Sequence, residues 1–351
     1  MTKKLNVISI FSGAGGLDFG FESSGFFESI ACVESNKIYS DTLLLNKGLQ
    51  IGTQVLLEKA SIFNCTVREF IDQNLNNFSL NGVDGVIGGP PCQPFSTIGK
   101  RLGMDDPRAS TLSDFVEVVK ISKPKFFLFE NVPNVAWQWE GKVLNNLIEK
   151  LGQDGQFKIE WKIVNAADYG AFTKRRRLVV LGIRLDCLTD NNASFFPLPT
   201  YADPNRNSSS MIKEWQTVAD ALKAIPKPNT TREDFPTHHI AVNHSDEVVQ
   251  RFKKLKPGEQ DKKRKRWRVD NSQPSNSLMA GGEGGFVFHI HPTQPRELTS
   301  RECARIQGFP DEFKFAGKPL DVAKQIVNAV PVQLGCAIGV SIFNSLRSLS
   351  K

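Results

Sequence analysis

The stretch Leu5-Asn6-Val7-Ile8-Ser9-Ile10-Phe11-Ser12-Gly13-Ala14-Gly15-Gly16-Leu17 carries the reading of the fold. Its first seven residues form a short apolar, β-branched run, the pattern of a strand buried on both faces. Ser12-Gly13-Ala14-Gly15-Gly16 closes the run as a glycine loop, and Leu17–Gly25 behind it reads as a helix. The alternation continues outward. Ser29–Val33 reads as a second strand ending at Glu34, and Val83–Ile87 as a third, broken by Gly88-Gly89-Pro90-Pro91. A helix with apolar positions at Leu112, Phe115, Val116 and Val119 ends before Pro124. Phe126–Phe129 follows as a buried strand stopping at Glu130-Asn131, and Ile159–Val164 and Leu178–Ile183 complete the set. Continuous apolar strands separated by helical patterns predict an α/β fold, a mostly parallel sheet with helices on both faces.

Around residue 190 the character changes. Residues 190–295 are rich in Asn, Ser, Pro, Gly and Lys, hold all five histidines, and show only weak elements such as Val218–Ile225. Helical patterns return at Ser300–Gln307 and Val322–Leu346, the second apolar enough to pack back onto the first domain. The expected division is residues 1–188 and 317–351 for one domain, and 189–316 for a smaller irregular domain and hinge.

With 351 residues, 40% hydrophobic and 23% charged, the chain has the composition of a soluble globular protein of about two domains. No uninterrupted apolar run approaches the ~18 residues of a membrane span. Met1-Thr2-Lys3-Lys4 before Leu5–Phe11 lacks a small-residue cleavage site, so the expectation is a cytoplasmic protein. The six cysteines are scattered without a CxxC, which argues against a zinc site and a disulfide framework; no metal is expected. The net charge of +7 is concentrated: Arg251–Arg268 holds ten basic against two acidic residues, a local +8. Such a run suits a polyanion, or a solvated surface loop.

Ligands of an open α/β sheet bind outside the carboxyl ends of its strands. Four such ends carry suggestive residues: the glycine loop, Glu34, Pro91-Cys92 and Glu130-Asn131. A glycine loop lets a cofactor approach the backbone, and an acidic residue ending the next strand suits ribose hydroxyls. Gly16 is followed by Leu17-Asp18-Phe19 rather than by a third spaced glycine, which favours a single nucleoside over a dinucleotide. Cys92 is bracketed by prolines at this edge, as a directed nucleophile would be, although a small buried thiol is the commoner use of cysteine. Glu130 fits an acid or hydrogen-bond donor to the same substrate, and equally a cap or ion-pair partner.

These stretches resemble the C5-cytosine-specific DNA methyltransferases. The agreeing blocks are Phe11–Leu17, Gly89–Ser96, Glu130-Asn131-Val132, Arg175-Arg176-Arg177, Leu298–Pro310 and Lys324–Pro331, in the family's order. The resemblance implies a Rossmann-like S-adenosylmethionine-dependent fold with an irregular target-recognition domain. It implies transfer of a methyl group from S-adenosyl-L-methionine to carbon 5 of a cytosine flipped out of double-stranded DNA. Cys92 would add to carbon 6, Glu130 would hold the ring's N3 and amine, and Arg175 would bind the ring carbonyl oxygen, with Arg177 in the same catalytic set. In the cofactor pocket, Phe11 would lie at the adenine. Ser12, Gly13, Ala14, Gly15, Gly16 and Leu17 would face the methionine part, and Glu34 would hold the ribose. Thr66 and Val67 would lie by the adenine amine, and Pro90, Asn328 and Val330 would line the remainder. Thr66 stands where the family usually has an acid, Thr173 where it has Gln, and Val327 where it has Gly. Ser96, Lys262, Lys263, Arg264, Lys265, Arg266 and Arg268 would contact the DNA backbone. Gly281–Gly285 would approach a groove or form a bare turn. A cognate restriction endonuclease acting on the same site is a further implied partner; the enzyme is expected to be a monomer. The related RNA enzymes remain an alternative, although their Cys-Phe-Thr element is missing from the sequence, as does a silent DNA-binding relative.

Overall fold

The computed structural model describes residues 3–74, 82–91, 110–152, 154–205, 211–228, 237–263, 265–279 and 289–346. Compactness divides the chain into two units, Met1–Val164 with Arg176–Leu198 and Gly335–Lys351, and Asn165–Arg175 with Pro199–Leu334.

The first unit is built on seven strands: β1 Leu5–Ile10, β2 Phe27–Val33, β3 Ser61–Phe63, β4 Gly85–Gly88, β5 Phe126–Asn131, β6 Phe157–Asn165 and β7 Arg176–Arg184. They lie in the order β3-β2-β1-β4-β5-β7-β6. The pairs from β3 through β5 are parallel, and β7 runs antiparallel to β5. The sheet is Rossmann-like, and its strand order reverses between β1 and β4, which opens a crevice at their carboxyl ends. The helices are α1 Gly16–Ser23, α2 Lys37–Asn46, the short α3 Val67–Glu69, α4 Ser110–Ser122 and α5 Lys142–Gly152. Phe115 of α4 meets Phe127 and Phe129 of β5 edge to face, and Leu144, Leu147 and Leu151 of α5 join the same core. That burial, about 25 cal/mol per Å² of apolar surface, holds the strand ends in register.

The second unit carries short ladders and the helices α6 Val218–Ala221, α7 Asp246–Lys254, α8 Ser300–Ile306 and α9 Pro319–Asn328. Its fully buried centre is Arg301, whose guanidinium donates to the carbonyls of Thr237, Pro310 and Phe313. Phe309, Phe313 and Phe315 pack together beside it.

The helical pattern expected over Val322–Leu346 is two helices, α9 and α10 Val332–Ser345. Pro331 forbids continuation: the residue before a proline is pushed out of helical geometry, and Ala329 already has ψ 144°. By composition alone Pro319–Ser345 could cross a membrane, but 61% of its apolar window is buried, as in a core helix. In the first unit, the Phe343 ring of α10 stacks on Phe26 with centroids 3.9 Å apart.

The boundaries differ from the expected 188/189 and 316/317 for local reasons. Thr173-Lys174 pairs with Ser275-Asn276, and Asp168 accepts from the Trp215 indole at 2.9 Å, which ties Asn165–Arg175 to the second unit. Gln307 donates to the carbonyls of Ile326 and Ala329, which ties α9 there as well.

Candidate active site

The loop between β1 and α1 turns on residues with positive φ: Phe11 at 55°, Gly13 at 58° and Gly15 at 82°. A Cβ on Gly15 would stand 2.8 Å from Leu43 Cδ2, so that side chain would have to shift, and φ 82° would strain any L residue there. Over Gly13 there is open space. The loop is tied down by Ser12 N–H donating to the Val33 carbonyl and Gly13 N–H donating to Glu34 Oε2 at 2.8 Å. Glu34 Oε1 accepts from Asn36 N–H, and burial pushes the Glu34 carboxyl above its ordinary pKa. Glu34 therefore orients the glycine loop while its remaining lone pairs stay available to a ligand's hydroxyls.

Beneath the loop lies an acidic network that the sequence reading did not single out. Asp18 is fully buried and accepts from the Cys32 thiol at 3.4 Å and from the Ser9 hydroxyl. The Ser12 hydroxyl donates to Ser9 Oγ at 2.9 Å. One turn on, Glu22 accepts the amides of Ser29 and Leu57. Loss of solvent pushes Asp18 up to about 6 and Glu22 up to about 7. The signal was present as two acids in a helix with an otherwise apolar start.

On the other side of the switch point, β4 runs into Gly89-Pro90-Pro91. Asn131, ending β5, donates from Nδ2 to the Pro90 carbonyl at 3.0 Å and accepts the Val132 amide, so it bridges two strand ends. The Glu130 carboxylate beside it faces Gly89 so closely that a Cβ there would stand 2.8 Å from Oε2. Its other oxygen receives Arg177 Nε at 2.6 Å. The next residues after Pro91, including Cys92 and Ser96, lie outside the described residues, as do Arg264 and Gly281–Gly285.

Arg175 and Arg177 part company. Arg177 belongs to β7 and pairs with Glu130, whereas Arg175 is buried in the second unit and donates to the Asn328 carbonyl at 3.3 Å. Within the first unit, the arginine beside the Glu130 carboxylate is Arg177. Asn328 ends α9 with an exposed side chain, and Val330 and Val327 are buried in that unit. Thr173 is also buried there, its hydroxyl donating to the Asn276 carbonyl.

The Thr66 hydroxyl is engaged as the N-cap of α3: it accepts from Glu69 N–H and donates to the Glu69 carboxylate at 2.8 Å. The adjacent Val67 side chain belongs to the hydrophobic core. Phe11 packs at the edge of that core.

The basic run divides by orientation. Lys262, Lys263 and Lys265 are exposed, and Lys263 pairs with Glu247. Arg266 is buried against Glu297, and Arg268 donates to the carbonyls of Phe252, Leu255 and Pro292. The expectation that every cation in the run faces phosphate is therefore corrected for Arg266 and Arg268, which hold the unit's interior. Burial pushes His289 and His291 down to about 4, so they add no positive charge at neutral pH. Among the described residues, no group of His, Cys, Asp and Glu could hold a metal ion.

A family model described as C-5 cytosine-specific DNA methylase matches residues 5–344. The type II methyltransferase M1.HphI of Haemophilus parahaemolyticus is 34% identical over 352 residues, covering 96% of this chain and 86% of its own length. The type II methyltransferase M.PspPI of a Psychrobacter strain is 32% identical over 371 residues, covering 100% and 82%. Among solved structures, a chain described as a DNA modification methyltransferase encoded within a prophage (E. coli) superposes with a TM-score of 0.75 at 27% identity, covering 97% of this chain and 99% of that one. The S. pombe Dnmt2 methyltransferase shares the fold, with a TM-score of 0.62 at 16% identity over 97% and 98% of the two chains. With a family model spanning almost all of it and type II relatives matching it over nearly its full length, the chain belongs to the C-5 cytosine-specific DNA methylase family and is a DNA cytosine-5-methyltransferase of the type II modification class.

Proposed function

We propose that the chain methylates carbon 5 of a cytosine extruded from a specific sequence in double-stranded DNA, with S-adenosyl-L-methionine as donor and through an adduct of Cys92 at carbon 6. The observation that carries this reading is the Glu130–Arg177 pair at the end of β5, next to the Gly89-Pro90-Pro91 segment that precedes Cys92 in the sequence.

The residues present fit the donor. The space over Gly13 and the Gly15 cap of α1, which makes no side-chain hydrogen bond, leave backbone amides and room for an amino-acid moiety. Glu34 suits two ribose hydroxyls. Thr66 contributes less than its position implies, because its hydroxyl already caps α3. When bound, the donor supplies an electrophilic methyl group on a sulfonium.

The chain's own residues supply the rest. Carbon 5 of cytosine is a poor nucleophile, and addition of the Cys92 thiolate to carbon 6 gives the ring enamine character. Glu130 would hold N3 and the exocyclic amine as the ring takes up the electron pair. Arg177, already against Glu130, would stabilise negative charge at the ring carbonyl. Loss of the carbon 5 proton then returns the pair to the ring and expels Cys92. The base must leave the duplex for any of this, at a cost of a few kcal/mol.

The first unit would be catalytic and the second would recognise the target. The setting is the bacterial cytoplasm, with the enzyme a monomer and a cognate endonuclease sharing its site. Tritiated methyl transfer tests the reading: label is expected on unmethylated duplex DNA and not on tRNA, and it should vanish in Cys92→Ala. A duplex carrying 5-fluorocytosine should trap a covalent adduct, because fluorine cannot leave as a cation. Label on tRNA alone, or residual turnover of a few per cent in Cys92→Ala, would overturn it.

A further inference from the structure

Three of the chain's five tryptophans lie together in the first unit, in contact with water. Trp137 is 65% exposed, Trp139 55% and Trp161 39%, although tryptophan carries the largest apolar surface of any side chain. Trp137 meets Trp161 of β6 edge to face, centroids 6.5 Å apart at 78°. Their neighbours explain why they do not fold inward. Val135 and Ala136 fill the core beneath, and Phe157, Ile159 and Ile163 of β6 pack against the same core.

The segment that presents them is built rather than loose. Val132 is held by the Asn131 side chain and leads into a 3-10 turn over Pro133–Ala136. Trp137 N–H and Gln138 N–H both donate to the Asn134 carbonyl. Trp139, Glu140 and Gly141 then take positive φ in succession, at 48°, 58° and 82°. For the first two that is a strained backbone, costing on the order of 1 kcal/mol each. Lys142 N–H donates to the Trp139 carbonyl and Asn145 N–H to the Gly141 carbonyl, which locks the turn to α5.

This platform starts where the proposed chemistry ends. One extended residue and four residues of 3-10 turn, at about 2 Å rise each, put the Trp137 backbone within about 15 Å of the end of β5. A duplex whose cytosine reaches Glu130 has a major groove about 12 Å wide, so its neighbouring nucleotides come within reach of these rings. The charges alongside, Glu140 and Lys142, are one of each sign and pair with each other at 4.0 Å. Attraction to phosphate therefore does not explain the patch, whereas stacking or wedging against unstacked bases does.

The geometry points to Trp137 and Trp139 as an aromatic contact for the DNA flanking the extruded base. This rests on the proposed reaction and adds a substrate-binding surface to it. The base-flipping step leaves neighbouring bases partly unstacked, and the rings replace some of the stacking that they lose.

Full-length wild type, Trp137→Ala/Trp139→Ala and Trp137→Phe/Trp139→Phe would be compared by anisotropy on unmethylated plasmid fragments, with S-adenosylhomocysteine present, across a salt series. The alanine variant should bind DNA about tenfold more weakly per ring removed. The slope of log affinity against log salt should stay unchanged, since no phosphate contact is lost. S-adenosylhomocysteine binding should also be unaffected, and the phenylalanine variant should recover most of the DNA affinity. DNA affinity within twofold of wild type in the alanine variant overturns the inference. So does a wild-type dimer in sedimentation that the alanine variant abolishes, which would make the patch an interface between copies. If the alanine variant melts early, the comparison of the phenylalanine variant with single Trp137→Leu decides by the same criterion. Failure of the wild type to methylate DNA would instead sink the proposed reaction; methylation by wild type with unchanged binding by the variants sinks only this inference.

Discussion

Arg177 Nε sits 2.6 Å from Glu130 Oε1, with both side chains largely buried and joined across the antiparallel pair β5–β7. The strands determine this contact. Val179 faces Glu130 in the register, so Arg177 reaches back two residues along β7 to the carboxylate.

Removing the guanidinium leaves a buried carboxylate without its counter-charge and the reacting ring without a positive neighbour. Arg177→Ala should lower kcat for methyl transfer at least about hundredfold, the usual cost of losing one preorganised electrostatic partner. S-adenosylhomocysteine binding by calorimetry should stay near wild type, because the glycine loop is held by Glu34 instead. Arg177→Lys should recover only part of the rate, since an ammonium lacks the planar fork. A wild-type rate in Arg177→Ala would reduce the pair to a structural tie.

The two buried acids of α1 make stability fall as pH rises. Desolvation holds Asp18 at about 6 and Glu22 at about 7, both above the ordinary carboxylate value, so the folded chain binds more protons than the unfolded chain between about pH 4 and pH 7. The stabilisation from keeping these protons is complete below about pH 4. It is lost as pH climbs through 6 and 7, and is level above. Asp18→Asn keeps the shape without the charge. Its melting temperature should match wild type near pH 4.5 and exceed it near pH 8, by the equivalent of on the order of 2 kcal/mol. A variant less stable than wild type at both ends would mean that the carboxylate's bonds to Ser9 and Cys32 outweigh the cost of burying it.

Much of this is legible in the sequence. The β1 strand and its glycine loop follow from β-branched residues and from backbone angles that only glycine takes cheaply, both local properties. The Glu130 and Asn131 strand end was equally local. Orientation was not: that the Arg177 side chain meets Glu130 depends on the pairing of β7 with β5. The same holds for Arg266 and Arg268, since a count of charges is blind to which side of a strand each occupies. The cap at Thr66 was within reach, because Thr66-Val67-Arg68-Glu69 spells a capping box, as does Thr299-Ser300-Arg301-Glu302. The Pro331 break in the C-terminal helical pattern was also readable, and the apolar periodicity on both sides obscured it.

The basic run yields a test that separates affinity from folding. Lys262, Lys263 and Lys265 face water, so Lys→Glu at all three should weaken binding to every duplex sequence. The log–log salt slope should fall by up to about 0.9 for each phosphate contact removed, with little change in melting temperature. Lys263 already pairs with Glu247, an exposed contact worth little, so its reversal adds repulsion locally without unfolding the unit. Arg266→Gln acts in the opposite way. It strips the buried Glu297 of its guanidinium partner, and breaking such a pair costs about 3–5 kcal/mol. Thermal melting should therefore drop sharply in Arg266→Gln, and in Arg268→Gln through the three carbonyls it leaves behind, while the salt slope of whatever remains folded stays that of wild type. A reduced slope with unchanged melting in Arg266→Gln would place that side chain on the DNA rather than in the interior.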